Sequence, residues 1–123
     1  MKLQPDTQPD RNLITAYGVG HVEINRQRHA ASLVLLPDRL VSPWAASGFD
    51  ALQESDFRLI AELAPEILLI GTGARQRFPA AALLRPLIEA RIGYEIMDFA
   101  AAARTYNVLM LEGRRVAAAL LIE

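Results

Sequence analysis

Apolar residues change their spacing several times along the second half of the chain, and each change marks a predicted element. Phe57, Ile60, Ala61 and Ala64 recur at helical spacing, whereas the apolar run at 67–70 predicts a strand buried on both faces. The predicted order is a helix at 55–64, a strand at 67–70, a helix from 79 to about 92, a strand at 94–97, a helix from 99 to about 111 and a strand at 116–122. This alternation favours a sheet with packed helices and right-handed crossovers.

The first third of the chain predicts strands without intervening helices. Residues 14–24 alternate apolar and polar side chains around a glycine pair, which is typical of a bent strand or a hairpin. The apolar run at 32–36 predicts a buried strand, and residues 40–44 predict a further short strand that is stopped by Pro43. Residues 1–12 predict a flexible lead-in, so we expect one α/β domain at 13–123 with a central mixed sheet and packed helices.

Local signals predict where the three helices begin. The Ser55 hydroxyl can accept a backbone N–H as an N-cap, and Asp56 would lie near the positive end of the same helix. Pro79 suits the first position of the second helix, since a proline there loses no hydrogen bond. Asp98 is the predicted N-cap of the third helix.

Composition and charge narrow the classes of function. Apolar residues make up 52% of the 123 residues and charged residues 22%, as in an ordinary globular domain. The absence of cysteine excludes disulfides, thiolate metal sites and a cysteine nucleophile. The 13 basic and 14 acidic residues are interspersed, which disfavours nucleic-acid binding. The sequence shows no secretory signal and no apolar run long enough to span a bilayer, so we expect a cytoplasmic protein.

The loop Gly71-Thr72-Gly73 at the end of the buried strand at 67–70 is the first candidate site. Ligands of α/β sheets tend to lie beyond the carboxyl ends of strands, and glycines let backbone N–H groups approach a ligand closely. Arg75 and Arg77 follow the loop and could supply charge, so the loop is a candidate anion or phosphate site. It matches neither the dinucleotide-binding pattern nor the longer phosphate loop. The alternative is that the glycines only form a tight turn.

The third predicted helix carries the second candidate site, which comprises Asp98, Arg104 and Asn107. Arg104 and Asn107 are three residues apart and share a helix face, so they could bind a carboxylate or a partner's backbone. The alternative is that they satisfy loop carbonyls or a local carboxylate. Tyr106 falls on another side of this helix, in the apolar stripe that is expected to face the core.

No residue pattern predicts catalysis, a metal site or a cofactor. The two histidines, His21 and His29, both fall in the early β segment, where unrelated surface positions are the simpler interpretation. No serine lies in a strand-turn-helix nucleophile elbow of the Gly-x-Ser-x-Gly kind.

Several blocks of the sequence resemble the Mth938-like domain family, a domain of unknown function. The blocks are PEILLIGTG at 65–73, RFP at 77–79, IGYEIMD at 92–98, ARTYNVL at 103–109 and EGRRVAAAL at 112–120. The resemblance implies a three-layer α/β fold with a central mixed sheet, and relatives among the assembly factors of mitochondrial respiratory complex I. It carries over no catalytic residue.

Two hypotheses of function follow from the sequence. The first is a non-catalytic interaction or assembly module with a protein partner, because no catalytic constellation is present and the resemblance includes assembly factors. The alternative is a binding protein for a small anionic ligand at Gly71-Thr72-Gly73, near Arg75, Arg77 and Arg104.

Overall fold

The strands of the protein form two sheets in a computed structural model that describes residues 11–123; most of the predicted lead-in at 1–12 lies outside these residues. The first sheet is antiparallel and contains β1 (Ile14–Gly18), β2 (His21–Ile24) and β3 (Gln27–His29) in that order. The second sheet is mixed, in the order β5-β4-β8-β6-β7, and contains β4 (Leu33–Leu36), β5 (Arg39–Val41), β6 (Ile67–Gly71), β7 (Gly93–Met97) and β8 (Val116–Leu120). Strand β6 runs parallel to β7 and β8, whereas β4 runs antiparallel to β5 and β8.

The mixed sheet is buried on both faces, which explains why its central strands have no polar face. Neighbouring strands align Val34, Ala119 and Ile70 on one face, where α1 (Glu54–Leu63) and α2 (Arg85–Glu89) cover them. The side chains of the adjacent residues in these strands, such as Leu35, Ala118 and Leu69, point to the opposite face. There α3 (Phe99–Leu111) and the β1–β2 hairpin cover them. These layers confirm the predicted three-layer α/β fold with a central mixed sheet.

The second helix begins later than predicted. A 3₁₀ turn at Ala81–Leu84 follows Pro79, and α2 itself begins at Arg85 and ends at Glu89. Pro86 explains the difference, because a proline is accepted in the first turn of a helix but costs roughly 3 kcal/mol in its interior. A helix that began at Pro79 would have placed Pro86 in that interior.

The start of α1 also differs from the prediction, whereas the start of α3 agrees with it. Helix α1 begins at Glu54, which places Ser55 inside the first turn instead of at the cap. The Asp56 carboxylate accepts the backbone N–H of Gln53 at 2.8 Å, so Gln53 occupies the cap position. Asp98 caps α3 as predicted, and its carboxylate accepts the Ala101 N–H at 2.8 Å.

Candidate functional site

The buried Thr72 side chain organises the glycine loop from within. Its hydroxyl donates a hydrogen bond to the Arg75 carbonyl at 2.8 Å and accepts the Arg77 N–H at 2.8 Å. The Thr72 N–H donates to the Met97 carbonyl at 2.9 Å, which joins the loop to the end of β7. The threonine predicted as a ligand-binding candidate therefore has its hydroxyl and its N–H engaged inside the protein.

The two glycines of the loop each have a local packing reason. A β-carbon at Gly71 would come within 2.9 Å of the Ala102 β-carbon, because β6 packs closely against α3 here. Gly73 adopts a φ of +92°, which side chains rarely tolerate, and a β-carbon there would lie 2.9 Å from the Arg77 guanidinium. Close packing and a positive φ account for both glycines without a ligand.

The Arg77 side chain is bound to other groups of the protein, whereas the Arg75 side chain is exposed. The Arg77 guanidinium donates to the Thr72 carbonyl at 2.6 and 3.1 Å, pairs with Glu123 at 2.7 Å and lies 4.4 Å from the centre of the Phe49 ring. Its side chain is only 22% exposed. Arg75 is exposed and forms no ion pair within residues 11–123. Arg75 is thus the more available charge for a ligand of this loop.

Asp98 and Arg104 lie near each other at the start of α3. The Arg104 guanidinium donates to the Tyr17 hydroxyl at 3.2 Å, and this bond raises the pKa of Arg104, with a smaller contribution from the charge of Asp98. The Tyr17 ring packs edge-on against Phe99, with 6.1 Å between the ring centres. The β1–β2 hairpin therefore meets the N-terminal turns of α3 at this point.

Asn107 joins the two layers of the fold and lies away from the glycine loop. Its side-chain oxygen accepts the Ile14 N–H at 2.9 Å, and its side-chain nitrogen donates to the Ile14 carbonyl at 2.8 Å. The adjacent Tyr106 is buried, as predicted, and donates to the Asn12 carbonyl at 2.8 Å; burial raises the pKa of its phenol. Both side chains hold the chain around β1 against α3, and the Asn107 amide is engaged by the backbone of Ile14.

An open cleft of about 420 Å³ lies beyond the carboxyl ends of the parallel strands β6, β7 and β8. Four segments line it: the tip of the β1–β2 hairpin, the loop after β6, the first residues of α3 and the segment after β8. The lining residues are Tyr17, Gly18, Val19, Gly20, Gly73, Ala74, Asp98, Phe99, Ala100, Leu121, Ile122 and Glu123. Its volume falls within the range of ligand pockets, and most of its lining is apolar.

Two of the predicted site residues, Gly73 and Asp98, line this cleft. Gly71, Thr72, Arg75, Arg77, Arg104 and Asn107 do not. Val19 and Ala74, which are exposed at the rim, were not among the predicted site residues. The signal for Val19 was present, since a branched apolar residue stands between two glycines where a hairpin turns.

The side chains that residues 11–123 contribute to the cleft do not form a recognisable catalytic arrangement. Its ionisable side chains are the Tyr17 phenol and the carboxylates of Asp98 and Glu123, and Glu123 is already paired with Arg77. Within residues 11–123, no three acidic or histidine side chains come together as metal ligands do. None of the helices in this part of the chain is both long and apolar enough to cross a membrane. The cleft is best suited to receive an apolar group.

Fold and cleft together define a small α/β domain with an apolar recess at its parallel strand ends. The chain belongs to the Mth938-like family described as "Protein of unknown function (DUF498/DUF598)", whose model matches residues 14–121. This confirms the family resemblance of the sequence blocks.

Two solved structures show how closely the fold is shared. A crystal structure of a protein from Bordetella parapertussis is 43% identical, with a TM-score of 0.84, and the match covers 92% of this chain and 97% of that chain. The solution structure of a Mth938-like domain from Bordetella pertussis is 36% identical, with a TM-score of 0.82, over 99% of this chain and 92% of that chain.

A curated relative carries a functional name. NADH dehydrogenase [ubiquinone] 1 alpha subcomplex assembly factor 3 from Bos taurus is 32% identical over 110 residues, which cover 88% of this chain. The match spans 59% of the length of that assembly factor.

Proposed function

We propose that this protein is a non-catalytic interaction module whose binding site is the apolar cleft beyond β6, β7 and β8, and that it assists the assembly of a protein complex. The observation that carries the proposal is the composition of the cleft, to which residues 11–123 contribute apolar walls and no set of reactive groups. The similarity to a complex I assembly factor supports a partner that is a protein. The proposal includes three expectations from the sequence: a cytoplasmic location, no nucleic-acid partner and no cofactor.

Exposure of the rim supports the proposal as well. Val19 is 99% exposed at the tip of the β1–β2 hairpin, and Ala74 is exposed on the opposite loop. Exposed apolar residues that adjoin an apolar recess extend it into a contiguous apolar surface, which is typical of sites that a partner covers. The Arg104–Tyr17 hydrogen bond and the edge-on packing of Tyr17 against Phe99 hold one wall of the recess in place without filling it.

Affinity capture of partner proteins from the source cell, with and without crosslinking, tests the proposal. The test compares the wild type with a variant whose cleft is filled by a long side chain. Ala74→Arg places a long side chain at the cleft, whereas the control Ala82→Arg adds the same side chain to an exposed alanine of a 3₁₀ turn outside the cleft. We expect a partner that the wild type and Ala82→Arg retain and Ala74→Arg loses, and the loss must recur with the purified pair. Equal capture by all three proteins would refute the cleft as the binding site.

The alternative, a small anionic ligand at Gly71-Thr72-Gly73, has weaker support from the geometry. The exposed Arg75 favours it, but Arg77 is already bound to Glu123 and the Thr72 hydroxyl is engaged in the loop. A thermal-shift panel of nucleotides, phosphosugars and organic acids tests this alternative. A ligand at 100 times its Kd would stabilise the protein by roughly 2.7 kcal/mol. An absence of shifts across the panel would leave the alternative without support.

A further inference from the structure

The charged groups that line the cleft are acidic. Its walls are built by Val19, Ala74, Phe99, Ala100, Leu121 and Ile122, and among residues 11–123 the charged lining residues are Asp98 and Glu123. No lysine, arginine or histidine of the described part of the chain lines it. An occupant that brings a negative charge would therefore meet carboxylates at this surface, whereas a positive charge would be attracted.

Asp98 keeps more of its charge available to an occupant than Glu123 does. Both Glu123 carboxylate oxygens are engaged, one by Arg77 at 2.7 Å and the other by the Phe49 N–H at 3.3 Å. Asp98 accepts the Ala101 N–H through Oδ1 and has no ion-pair partner within 4.0 Å in the described part of the chain. Arg104 lies near Asp98 but donates to the Tyr17 hydroxyl, and its side chain does not line the cleft.

The aromatic rings beside Asp98 suit the same kind of occupant. Tyr17 and Phe99 pack edge-on at the cleft wall, and aromatic faces attract the cationic head of a lysine or arginine. The aliphatic stem of such a side chain packs well on apolar walls while its head reaches a polar rim. A small amine inside the recess would leave Val19 exposed, whereas a polypeptide segment that lies across the hairpin tip would cover it.

Resting on the interaction function proposed above, we infer that the cleft receives a protein segment that places an apolar side chain next to a lysine or arginine. The apolar side chain fills the recess, and the basic side chain passes over Tyr17 and Phe99 to the Asp98 carboxylate. This chemistry differs from the anionic ligand that the glycine loop suggested, because Asp98 would repel such a ligand from the cleft.

Three blocked peptides with one variable position test the inference by NMR. We would titrate acetyl-Ala-Leu-Lys-Ala-Ala-amide and its Gln and Glu counterparts, and follow the amide signals of Gly73 and Ala100. We expect the lysine peptide to shift both signals and to bind most tightly, the glutamine peptide to follow, and the glutamate peptide to bind most weakly. The blocked ends ensure that the lysine is the only cation of its peptide.

Asp98→Asn separates the charge of Asp98 from its role in the fold. Asparagine caps helices about as well as aspartate, so α3 should keep its first turn. We expect the affinity for the lysine peptide to fall roughly two- to fivefold, as for an exposed ion pair, and the affinity for the glutamine peptide to stay unchanged. The control is Asp50→Asn, which removes an exposed carboxylate outside the cleft and should leave both affinities unchanged.

Four results would overturn the inference. They are equal or tighter binding of the glutamate peptide, a lysine preference that survives Asp98→Asn, binding of n-butylamine as tight as that of the lysine peptide, and no shift of the cleft signals with any peptide. If these occur while Ala74→Arg still loses a captured partner, the interaction function stands and only the partner chemistry is wrong. If the lysine preference holds but no partner is captured, the interaction function fails separately.

Discussion

Gly71→Ala tests whether the glycine at the end of β6 is required by close packing or by a ligand. The added β-carbon would lie 2.9 Å from the Ala102 β-carbon, 3.1 Å from a Leu120 methyl group and 3.4 Å from the Phe99 α-carbon. Carbon atoms pack best at about 3.5–4.0 Å, so backbone or helix must shift. Overpacking of this kind lowers the free energy of unfolding by about 1–3 kcal/mol. Alanine also reduces the conformational entropy of the unfolded chain, which offsets about 0.4–1 kcal/mol of that loss. We expect a net loss of roughly 1–2 kcal/mol.

Gly93→Ala is the matched control. Gly93 begins β7, the strand beside β6, and a β-carbon there would have no neighbour within 4 Å. Its φ lies outside the left-handed region, so alanine should keep the native backbone and stabilise the protein by about 0.4–1 kcal/mol. Urea unfolding followed by circular dichroism gives both free energies. Equal stability of the two variants would refute the packing account of Gly71.

The contact with Ala102 can be isolated in a double-mutant cycle. Ala102→Gly alone should cost about 1 kcal/mol, because glycine weakens a helix interior. In the Gly71→Ala background the same change also removes the atom at 2.9 Å, so the double variant should lose less stability than the sum of the two single variants. Strict additivity would show that Ala102 does not cause the strain.

Three further outcomes follow from other contacts. Burial raises the pKa of Tyr106, so the folded state prefers the neutral phenol; stability should be full below the ordinary pKa of about 10 and fall as pH rises above it, less steeply in Tyr106→Phe. Equal slopes in urea unfolding of the two proteins would contradict this. Asn107→Ala leaves both backbone groups of Ile14 without their partner and should cost about 1–3 kcal/mol, with faster hydrogen exchange at the Ile14 amide as the check. Arg77→Met removes the bonds to Thr72 and Glu123 and should cost about 1.5–3 kcal/mol in the same unfolding assay; an unchanged midpoint would mean that these bonds add nothing.

Local patterns predicted the layers of the fold because the relevant physics is local. A strand that is buried on both faces needs apolar residues at every position, and the run at 67–70 shows them directly. Asp98 was predictable as a cap because its bond partner, Ala101, is three residues away. The third strand, β3, gave no such signal: it is three residues long, and its side chains are largely exposed.

The roles of the candidate residues were less predictable because their partners lie far along the chain. Asn107 binds the backbone of Ile14, which is 93 residues away, and Arg77 pairs with Glu123 across 46 residues. No spacing rule within a helix or loop encodes such contacts. The cleft has the same origin, since its four lining segments come together only when β6, β7 and β8 align in one sheet.

Residues that folding already explains are weak evidence for function. Gly71, Thr72 and Arg77 resemble a ligand-binding loop in sequence, yet close packing, the internal bonds of the loop and an ion pair account for all three. Val19 is different, because an apolar side chain that is 99% exposed contributes little to the core. The case for function therefore rests on the apolar cleft and on Val19 at the hairpin tip. The stability of the fold alone explains neither the apolar recess nor the exposed valine.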